Sequence, residues 1–508
     1  MNNTYIGYEL SKTGLKIPQF TSGKLIHSKY DPEKEAQNLA DRIDHKTFFV
    51  ITGIGAGFFI EKLSNKFNNS KIIAIENTKN DLIFLEENFP IIKKLKLNNN
   101  IIFSTMEDLY NNLLENYIPA IYPSFQLIEY RSWITENQES TEKIKNTISL
   151  AIKKISEDFS VQAHFGKFWQ HNIISNLKQL NQNTQITFPN NKKAIIVAAG
   201  PSLDDNINWI RENRNDLYIF STDTAYKTLQ KQKIFCDAVV SIDGQSISHQ
   251  HFLREINKET VFIFDLCGNS SSIKKIKKNG NKIIFTTTGH PLSYFAKKTQ
   301  NNSFNLIYTD AGSGTVTIAA LDFANKAGFK EIHVIGADFS FPKRKPYAKG
   351  TYLEDLYINN HSRISNLEKN YTTLMYRTKT IEKNKIQTTE LLQSYKDSFD
   401  NWLKNNNFSF YQKDQKYICQ SNLNLKTNSV IQQKFDFKNF ADEIQKKDLS
   451  KMTQSLLPYI SYLRMQDSKK NIERNFETLL NIAVNHIVRY TKVLWNEQQQ
   501  LLFHYYFH

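Results

Sequence analysis

The chain has 508 residues, 40% of them hydrophobic and 23% charged, a composition that excludes disordered, collagenous and coiled-coil proteins for the bulk of it. Its length provides for two or three domains. Lys and Arg number 65 against 50 Asp and Glu, and this net charge of +15 either favours an anionic partner or reflects the heavy use of lysine throughout.

The start of the chain and its cysteines bear on localisation. The first residues, MNNTYIGYELSKTG, lack the basic region and apolar core of a secretory signal. No run approaches the roughly 20 apolar residues that cross a bilayer, and no compact arginine-rich stripe points to nucleic acid. Cys236, Cys267 and Cys419 are too widely spaced for a disulfide framework or a Cys-x-x-Cys metal site. The sequence therefore predicts a cytoplasmic protein with neither a nucleic-acid nor a membrane partner.

A strand, a glycine turn and a second strand characterise the first predicted domain, residues 1–135. The apolar strand 48–51 precedes Gly-Ile-Gly-Ala-Gly at 53–57, and a later strand ends at Glu76. This is the Rossmann order, in which glycines let the backbone approach a ligand and the acid accepts from a ribose hydroxyl. The glycine pattern resembles a methyltransferase more than a dehydrogenase. A Rossmann-like domain is predicted, and whether its turn binds a cofactor stays open.

The rest of the chain divides into three predicted segments. Residues 136–190 form a helical connector that ends in a polar linker containing Pro189. Residues 191–400 carry apolar strands separated by helical stretches, which indicates a mostly parallel sheet. Residues 401–508 are predicted to be helical. The predicted fold class is therefore α/β, with an N-terminal Rossmann-like domain, a central doubly wound domain and a helical C-terminal region.

The sequence Gly200-Pro201-Ser202 follows the first strand of the central domain. Gly200 permits close backbone approach, and Ser202 with Asp205 three residues later resembles a helix capping box. The helix N-terminus offers amides and a positive dipole end, which suit a phosphate. This loop is a candidate anion site, with an ordinary N-cap as the alternative.

Further polar loops follow later strands of the same domain. Thr222 and Asp223 follow the second strand, Asp243 the third, and the loop 286–290 the fifth. Ligands of open α/β sheets bind beyond the carboxyl ends of the strands. The loops together predict a nucleotide or nucleotide-sugar pocket.

A serine-glycine loop and an acid extend this predicted pocket. Ser313 and Gly314 precede a helix whose N-terminus suits an anion or a carboxylate. Asp338 follows a strand, where it is placed as a catalytic or hydroxyl-binding acid. A buried capping carboxylate is the alternative for Asp338.

Histidines supply two further hypotheses. His361 follows a tyrosine-rich stretch and is a candidate base in a loop over the pocket, with a surface histidine as the alternative. His249 and His251 lie two residues apart and near Asp243, but a third ligand is lacking, so no metal site is predicted.

Several longer motifs resemble one family. AAGPSL, STDTA, VVSIDGQ, TTGHPL and AGSGTVTIAALDFANKAGFKEIHVIGADFSF are together similar to the motility-associated-factor (Maf) glycosyltransferases, cytoplasmic bacterial enzymes that decorate flagellin. FGKFWQHNIISNL and the glycine-rich N-terminal domain also match, whereas the C-terminal region matches only in being helical. The resemblance implies a central domain similar to bacterial sialyltransferases, a CMP-activated nonulosonic acid as donor and flagellin as acceptor.

The resemblance also implies roles for residues of the predicted pocket. The donor-binding candidates are Gly200, Pro201, Ser202, Thr222, Asp223, Asp243, Ser313 and Gly314. Tyr347 fills one of two tyrosine positions that hold the donor phosphate, and Ser340 stands at the other. The catalytic candidates are His361, Asp338 and Tyr347. No cofactor is expected, because the CMP-sugar is a substrate.

Two other functions stay open. The central domain also resembles an archaeal pterin diphosphokinase, which would use ATP and magnesium with Asp243 and Asp338 as metal-binding acids. The other alternative is a non-catalytic flagellin-binding assembly factor, because a fold does not guarantee an activity.

Overall fold

Apolar strands build one parallel sheet in each of two units of the chain. The computed structural model describes residues 3–180, 183–189, 191–253, 255–300, 304–383, 386–406, 408–413, 416–421 and 430–507. One unit is Met1–Gly166 with Leu457–Leu479, and the other is Lys167–Leu456 with Leu480–His508. The domain boundaries predicted above stay a prediction.

The N-terminal unit alternates strands and helices. Its elements are β1 (Tyr5–Leu10), β2 (Lys16–Phe20), α1 (Pro32–Asp41), β3 (Phe48–Thr52), α2 (Phe58–Lys66), β4 (Lys71–Glu76), α3 (Lys79–Asn88), α4 (Pro90–Lys96), β5 (Ile101–Thr105), α5 (Leu109–Asn116), β6 (Phe125–Glu129), α6 (Arg131–Glu136) and α7 (Gln138–Leu177), whose end lies in the second unit.

The sheet of the N-terminal unit has the strand order β5-β4-β3-β6, with all neighbours parallel. Every residue of β3 is buried, as expected for a parallel strand that is covered on both faces. The chain leaves β3 toward β4 on one side and reaches β6 on the other. This reversal makes the carboxyl ends of β3 and β6 a topological switch point, the position at which open α/β sheets commonly bind ligands, and the glycine turn lies there.

The second unit is larger and contains the central sheet. Its elements are β7 (Thr184–Thr187), β8 (Lys193–Val197), α8 (Ser202–Glu212), β9 (Leu217–Thr222), α9 (Asp223–Lys231), β10 (Ala238–Ser241), β11 (Val261–Asp265), α10 (Ser270–Lys278), β12 (Ile283–Thr287), α11 (Pro291–Lys298), β13 (Ile307–Tyr308), α12 (Val316–Lys326), β14 (Glu331–Ile335), α13 (Tyr352–Asn359), α14 (Leu367–Met375), β15 (Thr380–Lys383), β16 (Ile386–Thr389), α15 (Glu390–Asn405), β17 (Phe408–Lys413), β18 (Lys416–Ser421), β19 (Val430–Gln433), α16 (Phe437–Gln445), α17 (Leu449–Lys469) and α18 (Phe476–Phe507), the last two of which also contribute to the first unit.

The central sheet has nine strands in the order β13-β12-β11-β10-β9-β8-β14-β18-β17. The seven strands from β13 to β14 are parallel, and β18 and β17 extend the sheet antiparallel. The chain advances in one direction from β8 to β13 and then returns to β14. Right-handed crossovers therefore place α12 on the face opposite to α8–α11. The predicted α/β class with parallel sheets is confirmed.

Two segments differ from the sequence-based expectation. Within 401–508, predicted to be helical, α15 ends at Asn405, β17 and β18 join the central sheet, and the next helix of the described residues begins at Phe437. Within the predicted linker, β7 pairs with β19, and Ile186 faces Ile431 across the pair. These strands are short and partly polar. The pairs β7–β19 and β14–β18 join segments that are distant in sequence, so no local pattern predicts them, whereas β17 and β18 are close in sequence and pair antiparallel with each other.

The C-terminal helices are amphipathic and pack through apolar residues that include Phe440, Leu456, Ile460 and Leu479. In the part of the chain that the structure describes, no helix is both long enough and apolar enough to span a bilayer.

Candidate functional site

The reversal of strand order between β8 and β14 places two loops together at the carboxyl edge of the central sheet. The Gly200 amide donates to the Gly336 carbonyl at 2.8 Å, and the Ala198 amide donates to Ile335 at 2.8 Å. Gly336 has φ +74°, and a Cβ there would lie 2.2 Å from the Ala198 carbonyl oxygen. The two loops therefore pack backbone against backbone, which only glycine allows at these positions.

Asp338 caps helix α8. Its Oδ2 accepts a hydrogen bond from the Ser202 amide at 2.9 Å, and a Cβ on Gly200 would lie 2.3 Å from the same oxygen. Burial raises the pKa of the Asp338 carboxyl, while the hydrogen bond from Ser202 lowers it. The predicted Ser202–Asp205 capping box is wrong, because Pro201 is the N-cap and makes no side-chain bond, and Asp205 pairs with Lys343 at 2.7 Å.

Asp223 is buried at the start of α9. Its Oδ1 accepts from the Thr224 amide at 2.7 Å, and its Oδ2 accepts from the Ser241 hydroxyl at 2.6 Å. The Thr222 hydroxyl caps α9 through the Ala225 amide at 3.3 Å and donates to the Val197 carbonyl at 3.3 Å. Thr222 thus serves the helix end, and its donor-binding role stays a prediction.

Asp243 lies near Asp223 beyond the neighbouring strand. Its Oδ1 accepts from the Gln245 amide at 2.9 Å. Burial raises the pKa of the Asp243 carboxyl, the Gln245 amide lowers it, and the negative charge of Asp223 adds to the rise. The buried His251 is close enough to oppose this rise. Across the described residues no group of three or more His, Cys, Asp and Glu side chains has the arrangement of a metal site.

Two tyrosines approach these acids from the chain after β14. The Ala348 amide donates to the Ala199 carbonyl at 2.8 Å, which fixes Tyr347 beside the loop that contains Gly200. Burial raises the pKa of Tyr347, with Tyr395, Tyr357 and Asp223 adding to the shift. Burial, Tyr347, Asp223 and Asp243 raise the pKa of Tyr352 to about 12. Asp243 and Tyr347 therefore both lie within electrostatic range of Asp223.

Sequence reasoning missed Tyr352. Its ring lies edge-on to His251, with ring centroids 4.5 Å apart. Ser340, at the position where the resemblance implies a tyrosine, donates its hydroxyl to the Asp338 carbonyl at 2.9 Å. Tyr352 is five residues after Tyr347, and the tyrosine-rich stretch was the only signal that pointed to it.

Ser313 and Gly314 precede α12, whose N-cap is Thr315. The exposed Ser313 hydroxyl lies 2.6 Å from the Ser398 hydroxyl and 3.2 Å from that of Ser394, both on α15. Gly314 has φ +96°, and a Cβ there would meet nothing within 4 Å. The serine-glycine loop is therefore held by α15, the helix that also carries Tyr395.

His361 follows α13, and its side chain is exposed. Its backbone amide donates to the Ile358 carbonyl at 3.1 Å. Within the described ranges, no hydrogen bond or ring contact joins His361 to Asp223, Asp243 or Asp338. The structure thus does not bring His361 to the acids, and its catalytic role stays a prediction.

Two asparagines of α7, which sequence reasoning also missed, hold the loops beyond β10 and β11. The Asn172 amide group donates to the carbonyls of Gly244 at 3.0 Å and Cys267 at 2.9 Å. Asn176 donates to Leu266 at 2.9 Å and to Gly268 at 2.8 Å. The sequence predicts that Asn172 and Asn176 lie in an amphipathic helix, but it does not show which backbone carbonyls they contact.

The glycine turn of the N-terminal unit is filled by the protein's own side chains. Glu76 is fully buried and accepts from Tyr5 at 2.8 Å, the Ile54 amide at 2.7 Å and the Trp133 indole at 2.9 Å. A Cβ on Gly53 would lie 2.6 Å from Trp133 Cγ. The proposed ribose-binding acid is thus engaged by three internal donors, and the hypothesis that it binds a ribose is not supported.

His27 completes the filling of this turn. Its Nε2 accepts from the Ala56 amide at 2.8 Å, and its Nδ1 lies 2.8 Å from the Tyr130 hydroxyl. Burial lowers the pKa of His27 to about 3, which keeps the imidazole neutral as the acceptor of the turn amide. A Cβ on Gly55 would lie 2.4 Å from His27 Nε2. The glycines are therefore required by internal packing.

Comparison with solved structures extends the likeness to nearly the whole chain. The structure of a MAf glycosyltransferase from Magnetospirillum magneticum AMB-1 covers 97% of this chain, and the match spans 87% of that chain. The TM-score is 0.57 and the sequence identity is 11%. At this identity the match establishes the fold and leaves the activity open.

Sequence comparisons match shorter parts of the chain. Two proteins of Treponema pallidum (strain Nichols), both described as uncharacterized, are 27% identical over 273 residues and 38% identical over 141 residues. The matches cover 51% and 26% of this chain, and 87% and 64% of the relatives. A family model described as 6-hydroxymethylpterin diphosphokinase MptE-like matches residues 171–344. The chain thus has the fold of a Maf glycosyltransferase and contains a central segment similar to the MptE-like family.

Proposed function

We propose that the protein is a Maf-type glycosyltransferase that moves a nonulosonic acid from a CMP-activated donor to Ser or Thr hydroxyls of flagellin in the cytoplasm. The observation that carries this proposal is the fold match over 97% of the chain, which includes both units and the C-terminal helices. A match confined to the central sheet would not favour it over the pterin alternative.

The arrangement of side chains supports donor binding at the carboxyl edge of the central sheet. The buried Asp223 and the half-buried Asp243 offer carboxylate oxygens to ribose or sugar hydroxyls, beside the switch point between β8 and β14. The negative charge of Asp223 raises the pKa of both Tyr347 and Tyr352, and that of Asp243 also raises the pKa of Tyr352. Burial raises both pKa values further above neutrality, so both hydroxyls keep their protons, and that of Tyr347 acts as a hydrogen-bond donor to a leaving phosphate.

In the proposed transfer, the acceptor hydroxyl oxygen forms a bond to the anomeric carbon of the donor. The bond between that carbon and the phosphate oxygen breaks, and CMP leaves with the electron pair. The acceptor proton passes to a base, for which Asp338 and His361 are the candidates. Asp338 lies at the switch point, whereas His361 is exposed.

The test combines purified protein, a CMP-activated nonulosonic acid and recombinant flagellin. We expect CMP release that requires flagellin and a flagellin mass increase of one sugar residue. Asp223→Asn is expected to lower kcat/KM at least about tenfold, because a charged hydrogen-bond acceptor is lost. The matched control Glu259→Gln, at an exposed acid, should leave it unchanged.

Two outcomes would contradict this proposal. Unchanged flagellin mass with all donors tried, together with loss of motility on gene deletion, would favour a non-catalytic assembly factor. AMP formation from ATP and a hydroxymethylpterin would favour the second candidate function, a pterin diphosphokinase. The specific observation in favour of that second candidate is the MptE-like match over residues 171–344.

A further inference from the structure

A cavity of about 290 Å³ lies beside Tyr347, between the loop after β14 and helix α14. Four cationic residues of the loop line it, namely Lys343, Arg344, Lys345 and Lys349. This cationic pocket is close to the lower end of the volumes of small-molecule sites, about 300 Å³.

Most of the positive charge in the cationic pocket is not neutralised by neighbours. Lys343 pairs with Asp205 at 2.7 Å. Within the described part of the chain, Arg344, Lys345 and Lys349 form no ion pair with a carboxylate. The charge therefore remains available to a ligand.

Two acids also line the cationic pocket, and one of them is already engaged. Glu354 accepts from the Gly350 amide at 2.5 Å and lies 3.9 Å from Lys231. Glu368 is the other acid. Four cations and two acids line the pocket, so the excess of cations among the lining residues favours an anion, while Asp205 and Asp204 lie behind Lys343 and the Lys349 backbone.

The wall from α14 adds aromatic and apolar surface. Tyr371 lines the cationic pocket, and burial raises its pKa, so its hydroxyl remains a hydrogen-bond donor. Leu367 and Met375 lie on the same wall. A small oxyanion attached to a less polar body fits this combination, because the charge meets cations and the body meets side-chain carbon.

The loop that carries the cations has an unusual backbone. Phe339, Lys343 and Arg344 have φ values of 49°, 55° and 54°, the left-handed region that non-glycine residues rarely adopt. The Lys349 amide donates to Asp204 Oδ1 at 3.0 Å, and the Ala348 amide to Ala199, which holds the loop against α8. Such conformations persist where surrounding contacts impose them, often at ligand sites.

Charge separates this pocket from the neighbouring edge of the sheet. Asp223 and Asp243 lie at that edge, and their carboxylates repel a phosphate or carboxylate of a ligand. Tyr347 lies between the two regions, because it lines the pocket and its pKa responds to Asp223. We propose that the cationic pocket binds the oxyanion of the substrate, while the acids face its hydroxyl-bearing part. This inference rests on the proposed function for the location of the donor at this edge.

Three probes test the proposal by calorimetric titration of the full chain: CMP, free N-acetylneuraminic acid and uncharged cytidine. In the variant Arg344→Gln/Lys345→Gln, we expect the Kd of at least one anionic probe to rise at least about tenfold, and that of cytidine to stay within twofold. A rise for CMP alone identifies a phosphate, and a rise for the sugar acid alone identifies a carboxylate.

The matched control is Lys274→Gln/Lys278→Gln, which removes two exposed lysines of α10. It should leave all three Kd values unchanged. The proposal is overturned if both anions bind the pocket variant as they bind the parent, if neither anion binds the parent, or if cytidine loses affinity equally.

The titrations require no acceptor, so they separate this inference from the proposed transfer. If flagellin is never modified but anion binding still depends on Arg344 and Lys345, the cationic pocket stands and the transfer fails. If flagellin is modified and the variant binds both anions as the parent does, the proposed transfer stands and the anion-binding role of the cationic pocket is wrong.

Discussion

Carboxylates at the ends of buried strands accept hydrogen bonds from the protein's own backbone in both units. Asp338 accepts from Ser202, and Glu76 accepts from Ile54. Asp265, at the end of β11, accepts from the amides of Cys267 at 2.6 Å and Thr288 at 2.5 Å. An acidic residue after a strand can therefore connect two loops of the protein itself, as Asp338, Glu76 and Asp265 do, and need not bind a ligand.

Glu76 gives the N-terminal unit a pH dependence. Burial raises its pKa from 4.5 to about 7 despite three hydrogen bonds. The folded protein thus binds the proton of the Glu76 carboxyl more tightly than the unfolded chain does. The resulting contribution to the free energy of unfolding is complete below about pH 4.5 and is lost as the pH rises to about 7. The shift corresponds to about 3 kcal/mol.

Glu76→Gln should remove this dependence. We expect the stability deficit of the variant relative to the parent to be larger at pH 5 than at pH 8, because only the parent loses stability between them. Hydrogen exchange of peptides within residues 48–76 measures the deficit locally. The titration of His27 runs in the opposite direction but is present in both proteins and cancels.

The control for this prediction is Glu87→Gln, at an exposed position of α3. It should show no pH-dependent deficit. Equal deficits of Glu76→Gln at both pH values, or a larger deficit at pH 8, would contradict the assignment of a raised pKa to Glu76.

The packing of β8 against β14 is the feature that organises the second unit at the scale of elements. The strands pair in parallel from Ala194 and Ile332 onward, and the pairing continues into the loops through Gly200 and Gly336. The loop predicted to bind a phosphate is therefore already closed against the neighbouring strand end. The glycine at this position serves the junction of two strands.

Gly200→Ala tests this view of the junction. Its Cβ would lie 2.4 Å from the Gly336 carbonyl oxygen, and a backbone atom cannot rotate away. We expect a loss of about 3 kcal/mol in the free energy of unfolding, the cost of overpacking a close contact. Urea denaturation, with hydrogen exchange of the β8 and β14 peptides, measures it.

Gly314→Ala provides the contrast for this prediction. Its φ of +96° imposes strain, but its Cβ would have open space, so a loss of about 1 kcal/mol is expected. Equal losses for the two variants would contradict the assignment of a larger cost to the contact between β8 and β14, because Gly200, unlike Gly314, does not have a positive φ.

The net charge of +15 acts at the scale of the whole molecule. The cationic pocket contains only a few of the cations, and under the proposed function we expect the others to attract an acidic protein acceptor at long range. With saturating donor, we expect kcat/KM for an acidic flagellin to fall more steeply between about 50 and 300 mM salt than kcat/KM for an uncharged Ser/Thr peptide. Salt screens long-range attraction between charges in this range. Equal salt dependences of the two kcat/KM values would show that the net charge reflects only the heavy use of lysine in the sequence.

Much of both sheets is predictable from sequence, because parallel strands covered on two faces are continuous apolar runs such as Phe48–Thr52. The loops of Asp223 and Asp243 are predictable for the same reason, since they follow such runs. The strand β18 is not, because its apolar run of only three residues, Tyr417 to Cys419, is too short to be distinguished from a loop. The partners of Glu76 lie 71, 22 and 57 residues away, and no local pattern encodes them.

The filled glycine turn of the N-terminal unit has a consequence for how the protein responds to the cell. Trp133 and His27 fill this turn and are covalent parts of the chain, so they are always present at the turn. A metabolite would bind when its concentration rises and dissociate when it falls, whereas these side chains remain in place at all concentrations. This turn therefore responds to pH, through Glu76 and His27, but its occupancy does not follow the supply of a metabolite.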